Sequence, residues 1–255
     1  MSRLLTDLDP WIAAALFALA MLAGWAVGWW RGRSLRQEAR ESPPRKFDDA
    51  ILALLGLLLG FTFAMSLGKH DHRREMVVAD SNAIGDFYTC VSLLKEPVRG
   101  KLQALVRQYV EHRLQVGHFS MDEAALQRKL DEIDEMHHQM QSLVGEAVDG
   151  GTPVAVPLVN TFNALTSSHA ARLAAGRDRL PGIIVLLLFL AAVLSMAVVG
   201  RQQGAAKAWR PGSSMGFAVL VCMVVWVTLD LNQPDRGWIT VSQEPLQRLL
   251  KGMEK

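Results

Sequence analysis

The sequence has 255 residues, half of them hydrophobic and a fifth charged, with 27 Lys and Arg against 25 Asp and Glu for a formal charge of +2. A balance this close to neutral gives no case for nucleic-acid binding, which draws on a basic excess. Two cysteines, Cys90 and Cys222, are too few for a disulfide framework or a Cys-x-x-Cys metal site.

Four apolar runs dominate the chain: Trp11–Trp30, Ala50–Gly68, Gly182–Gly200 and Met215–Leu231. Each is about as long as the roughly 20 residues a helix needs to cross hydrocarbon. The first three hold no Asp, Glu, Lys or Arg, and the fourth holds only Asp230, next to its end and expected to be solvated there. A charge at mid-membrane costs about 2.5–3.5 kcal/mol on an insertion scale, so a lipid environment selects for this emptiness. Trp11 at one end of the first run and Trp25, Trp29 and Trp30 toward the other suit anchoring at two interfaces. That run is about twice the length of a signal-peptide core, and Gly28-Trp29-Trp30-Arg31 offers no small-residue cleavage site, so it is expected to stay in the protein.

After the second run the apolar period becomes that of amphipathic helices. Met76, Val77, Ala83, Ile84, Phe87, Val91 and Leu94 recur at steps of three and four, which predicts one helix continuing from the span. Pro97 suits the first turn of a second helix, with Leu102, Leu105, Val106, Tyr109, Val110 and Leu114 along one face and Gly117 at its end. Ser120 with Glu123 forms a capping-box pair for a third, in which Leu126, Leu130, Ile133, Met140 and Val144 line one side. Asp149-Gly150-Gly151-Thr152-Pro153 breaks it, and a fourth helix through Phe162, Leu165 and Leu173 leads to Pro181. In the tail, Ser242 is placed to cap a short helix with Leu246, Leu249, Leu250 and Met253 on one face, lying on the bilayer or against the bundle.

The expected fold is therefore an all-α membrane protein of four transmembrane helices, with a helical bundle inserted between the second and third. Residues 1–68 form a first hairpin, 69–180 the bundle, 181–231 a second hairpin and 232–255 the tail. The short loops Arg31–Asp49 and Arg201–Ser214 concentrate Lys and Arg, which places them in the cytoplasm and the bundle outside.

Within the second span Gly56, Gly60, Ala64 and Gly68 fall at four-residue steps. Small residues let helix backbones approach where lipid supplies no hydrophobic drive to associate, so this face is expected to pack, on its neighbours or on copies of itself. Beside it Ala53, Leu57 and Phe61 share a second face. On a lipid-facing helix that means nothing; around an axis they form stacked apolar rings of the kind that gate ions by dewetting. Lys69, His70, Asp71, His72, Arg73 and Arg74 follow, with Glu75 and Asp80, either lining a pore mouth or marking where the helix leaves lipid. His70/His72 and His137/His138 lack the i, i+4 spacing of single-helix chelation, so no metal or cofactor is expected. No GxSxG, phosphate-binding glycine loop or HExxH occurs, and no enzyme activity is expected.

The order of the segments, with LLGLLLGFTFAMSLGKHDHRREMVVADSNAIGDFY at Leu54–Tyr88, resembles the bacterial bestrophin-like membrane family of uncharacterised function, itself distantly similar to bestrophin ion channels. Gly60-Phe61 matches the Gly-Phe pair late in the bestrophin second span, and Arg73, Arg74 and Glu75 match the charged helix after it. The resemblance implies a homo-pentamer in a bacterial inner membrane that conducts small inorganic ions. The second span would line its pore, with Ala53, Leu57 and Phe61 as the neck, and the bundle would lie in the cytoplasm, opposite to the loop-charge reading. The reading from another class is a non-conducting sensor or scaffold, whose bundle binds a partner or ligand and whose spans anchor it.

Overall fold

The structure, a computed structural model, describes residues 10–34, 46–116, 123–206, 211–233 and 238–254. Gly117, Ser120, Pro43-Pro44 and most of the loop cations lie outside these residues. Every described element is helical: α1 Pro10–Ser34, α2 Lys46–Val91, α3 Val98–Val116, α4 Glu123–Asp149, α5 Ala155–Arg177, α6 Gly182–Ala205, α7 Pro211–Leu231 and α8 Glu244–Met253. Four helical stretches are long and apolar enough to cross a membrane, and they contain α1, α2, α6 and α7. Punctuation residues set several boundaries. α3 begins directly after Pro97, whose missing N–H is no loss in a first turn. α4 ends at Asp149, and Gly151 then takes a left-handed φ of 73° that a side chain would resist. Pro181 caps α6 after the extended residue Asp178, so the helix is interrupted ahead of the third apolar run.

The chain divides into two compact units. The first holds α1, α6, α7 and α2 as far as Lys69. Its core joins Phe17 and Met21 of α1, Leu55 of α2, Val185, Leu188 and Met196 of α6, and Val221 and Val225 of α7. Glycine sets the α1–α6 contact. A Cβ on Gly28 would overlap the Ala197 carbonyl, one on Gly32 the Arg201 carbonyl, and ones on Gly200 and Gly204 the carbonyls of Trp25 and Trp29. Only hydrogen fits at these positions, which is how two helices approach closely in lipid. Polar bonds supplement the packing: Ser66 Oγ donates to the Thr228 carbonyl at 3.1 Å, Trp25 Nε1 to Gln203 Oε1 at 3.3 Å, and Arg201 Nη2 to Asp48 at 2.7 Å.

Asp230 corrects the expectation of a solvated carboxylate. It is buried, and its two oxygens accept the backbone N–H groups of Trp238 (3.0 Å) and Ile239 (2.9 Å), which satisfy it in place of water. The rings of Trp11, Trp226 and Trp238 gather beside it, with centroids 5.0–6.3 Å apart.

The second unit holds α2 beyond Lys69 together with α3, α4, α5 and α8. One apolar core takes Ile84, Phe87 and Val91 from α2, Leu102, Val106 and Tyr109 from α3, Ile133 and Met140 from α4, Leu158 and Leu165 from α5, and Leu246 and Met253 from α8. The tail helix thus packs into this core, with Ser242 Oγ accepting the Glu244 N–H at its start.

Candidate functional site

Helix α2 turns different faces inward and outward along its apolar half. Leu55, Thr62 and Ser66 are buried within the first unit. Leu57 and Phe61, on the opposite side at about 100° per residue, are 56% and 62% exposed, and Ala53 is exposed with them. Gly56, Gly60, Ala64 and Gly68 are exposed as well, and Cβ atoms added at the three glycines would meet nothing within 4 Å. The chain therefore folds without covering this surface. In its apolar window only 17% of α2 is buried, the least of the four spans.

At the end of the span Asp71, His72 and Arg74 are exposed, and Lys69 and His70 are half-buried. Arg73 is buried in the second unit, where Nε donates to the Ala175 carbonyl at 3.2 Å and Nη2 to the Asp178 carbonyl at 2.8 Å. It satisfies carbonyls at the C-terminus of α5, where a cation also meets the favourable end of the helix dipole.

Deeper in the second unit lies a charged cluster whose pairing the linear sequence did not reveal. Asp80 on α2 is fully buried and accepts from Arg113 Nη2 of α3 at 2.6 Å, Arg172 Nη1 of α5 at 2.8 Å and Ser168 Oγ at 3.2 Å. Arg172 Nη2 continues to Gln243 Oε1 at 2.7 Å, and Arg113 Nη1 donates to Nδ1 of the buried His169. Burial alone would raise the Asp80 carboxyl, but the two guanidiniums outweigh it and hold the group below its ordinary value. His169 is lowered as well, but here burial itself works in that direction. Burial first, then Arg113 and His137, bring it down to about 3, so it is neutral at physiological pH. A signal for the cluster was present in the sequence. Asp80 sits in register with Val77, Ile84 and Phe87, Arg113 with Val106 and Val110, and His169 with Phe162 and Leu165. These are ionisable residues on apolar stripes.

Three polar atoms around this cluster are buried without a hydrogen-bond partner: Tyr109 Oη, Arg113 Nε and His137 Nε2. Burial raises the Tyr109 hydroxyl pKa, which keeps it protonated and able to donate. Among the described residues, Asp134, His137 and His169 bring one ligand-type atom each within 4.8 Å of the others. His137 takes part through a residue three positions away on its own helix and one on α5, rather than through its neighbour His138.

Four apolar helical spans joined to a second, charge-bearing helical unit define a multi-pass helical membrane protein. The model of the Bestrophin-like domain matches residues 14–246, and the chain belongs to the Bestrophin-like family. It is also similar to a solved crystal structure described as that of a membrane protein, with a TM-score of 0.66 and 11% identity over 94% of this chain and 96% of that one. At this identity the likeness is one of fold. No curated protein matches the chain.

Proposed function

We propose that copies of this chain assemble around an axis, with α2 facing a pore that conducts small inorganic ions. Membership of a bestrophin-like family points toward ion channels, and one observation carries the reading to this helix. Folding buries Leu55, Thr62 and Ser66 but leaves Ala53, Leu57, Phe61 and the Gly56/Gly60/Ala64/Gly68 stripe without intramolecular cover. Small residues suit close contact between copies, and the adjacent apolar side chains would then stack as rings. Rings of Leu57 and Phe61 are narrow and poorly wetted, so they form the constriction, and Ala53 widens one end. Asp71, His72 and Arg74 supply mixed charge at a mouth. The resemblance favours five copies, with the second unit as a bundle inserted between the second and third crossings in a bacterial inner membrane.

Reconstitution into planar bilayers tests this. Wild-type protein is expected to carry current, and Phe61→Ala or Leu57→Ala to change its conductance. Absence of wild-type current, or indifference to both substitutions, would overturn it. The charged cluster favours a second reading, because unpartnered polar atoms inside the second unit suit a ligand-binding sensor. Native mass spectrometry in detergent separates the two, since a monomer leaves no axis for a pore. Sidedness is read by a reporter fused after Lys255: a signal confined to the cytoplasm sinks the extracytoplasmic placement drawn from loop charge.

A further inference from the structure

We propose that Asp134, His137 and His169 bind a divalent transition-metal ion of the zinc class inside the second unit, with solvent completing the coordination. Asp134 and His137 stand three residues apart on α4, so their side chains share a helix face, and His169 reaches them from α5. The imidazole rings lie 5.0 Å apart at 76°, an arrangement in which two rings can point lone pairs at a common centre. Ligand atoms on such a cation sit about 2.0–2.2 Å from it, so atoms within 4.8 Å of one another close around it by small side-chain rotations.

Two independent observations favour an occupant. His137 Nε2 is buried and accepts no hydrogen bond, and Tyr109, whose ring centroid is 5.1 Å from that of His137, has an equally unpartnered hydroxyl. Nε2 of His137 is thus available as a ligand, whereas Nδ1 of His169 is already engaged by Arg113, so the second ring coordinates through Nε2. Asp134 is exposed and gives both a negative charge and an entry path. Two imidazoles and one carboxylate suit zinc, cobalt or nickel, whereas calcium and magnesium take oxygen ligands.

Arg113 is the opposing element. Its Nη1 donates to His169 Nδ1, which leaves the ring proton on Nε2. Metal binding at Nε2 therefore moves that proton to Nδ1 and turns Nη1 away from the ring, while Nη2 keeps its bond to Asp80. The formal charges of Arg113 and Arg172 are balanced by Asp80 and Asp134, so the cluster carries no net positive charge against an incoming cation.

The test is cobalt titration of the full-length, detergent-solubilised protein after chelator treatment and removal of any histidine tag. Visible absorption is followed and zinc is used as competitor. One cobalt per chain is expected, displaced by zinc. Asp134→Asn, at an exposed position that folding tolerates, is expected to weaken binding by about tenfold or more. His137→Gln should abolish the band, and His138→Gln, on the exposed neighbour, should leave it unchanged. Failure of wild type to bind cobalt overturns the proposal. So does wild-type affinity and stoichiometry in both Asp134→Asn and His137→Gln, which would mark adventitious binding at other histidines. Because the readout is metal occupancy, it is independent of whether the protein conducts.

Discussion

Asp80 is the residue on which the second unit's interior electrostatics depend. It is fully buried and sits between two guanidiniums that, among the described residues, pair with no other carboxylate. Removing its charge strands Arg113 and Arg172, and an uncompensated buried charge is strongly destabilising. Asp80→Asn is expected to lower stability by about 3–5 kcal/mol, read by thermal or denaturant unfolding in detergent. The pH dependence follows in sign. A carboxyl held below its ordinary value of 3.8 contributes stability above that pH and loses it as pH falls through the lowered folded value. Wild-type stability should therefore decline below about pH 4 in a component that Asp80→Asn lacks. An equally steep decline in the variant would assign that component to other carboxylates. In the linear sequence Asp80 looked like one more charge beyond a span, beside Asp71 and Glu75. What set it apart was its position on the stripe of Val77, Ile84 and Phe87, but periodicity does not say which partners a buried charge will find on other helices.

Between elements, the same small-residue rule that singled out α2 has its clearest intramolecular expression elsewhere. Gly24, Gly28 and Gly32 repeat every four residues along α1 and face Gly200 and Gly204 on α6, where backbone carbonyls fill the space of the missing side chains. Gly28→Leu forces these helices apart or strains the core, and overpacking of this kind costs about 1–3 kcal/mol. The expected result is a lower unfolding temperature of the detergent-solubilised protein, and unchanged stability would show that the two helices can separate without loss. The helices themselves were legible because apolar length and Gly/Pro punctuation are local signals: the breaks at Pro97, Gly150-Gly151 and Pro181 all fall where the backbone chemistry places them. Which glycine face meets which helix was not legible, because spacing gives a face without giving its partner. Arg73 shows the same limit, since nothing local distinguishes it from the exposed Arg74, yet it bonds the carbonyls at the end of α5.

At the scale of the whole molecule, hydropathy determined the membrane class, because four uncharged spans have few other physical solutions. Assembly is a different matter, since a single chain's sequence is equally compatible with lipid or with a second copy against α2. The contrast between the two glycine sets supplies a test. Gly28 has no room for a side chain within its own chain, whereas a methyl group added at Gly60 would have nothing within 4 Å. Gly60→Leu should therefore leave the monomer's unfolding temperature close to wild type while pushing adjoining copies apart, with the mass in detergent shifting from oligomer toward single chain and current disappearing with it. The companion change at Gly28 acts the other way round, on stability before assembly. If Gly60→Leu retains both oligomer mass and conductance, α2 does not contact its copies through this stripe, and the pore must be built on another helix.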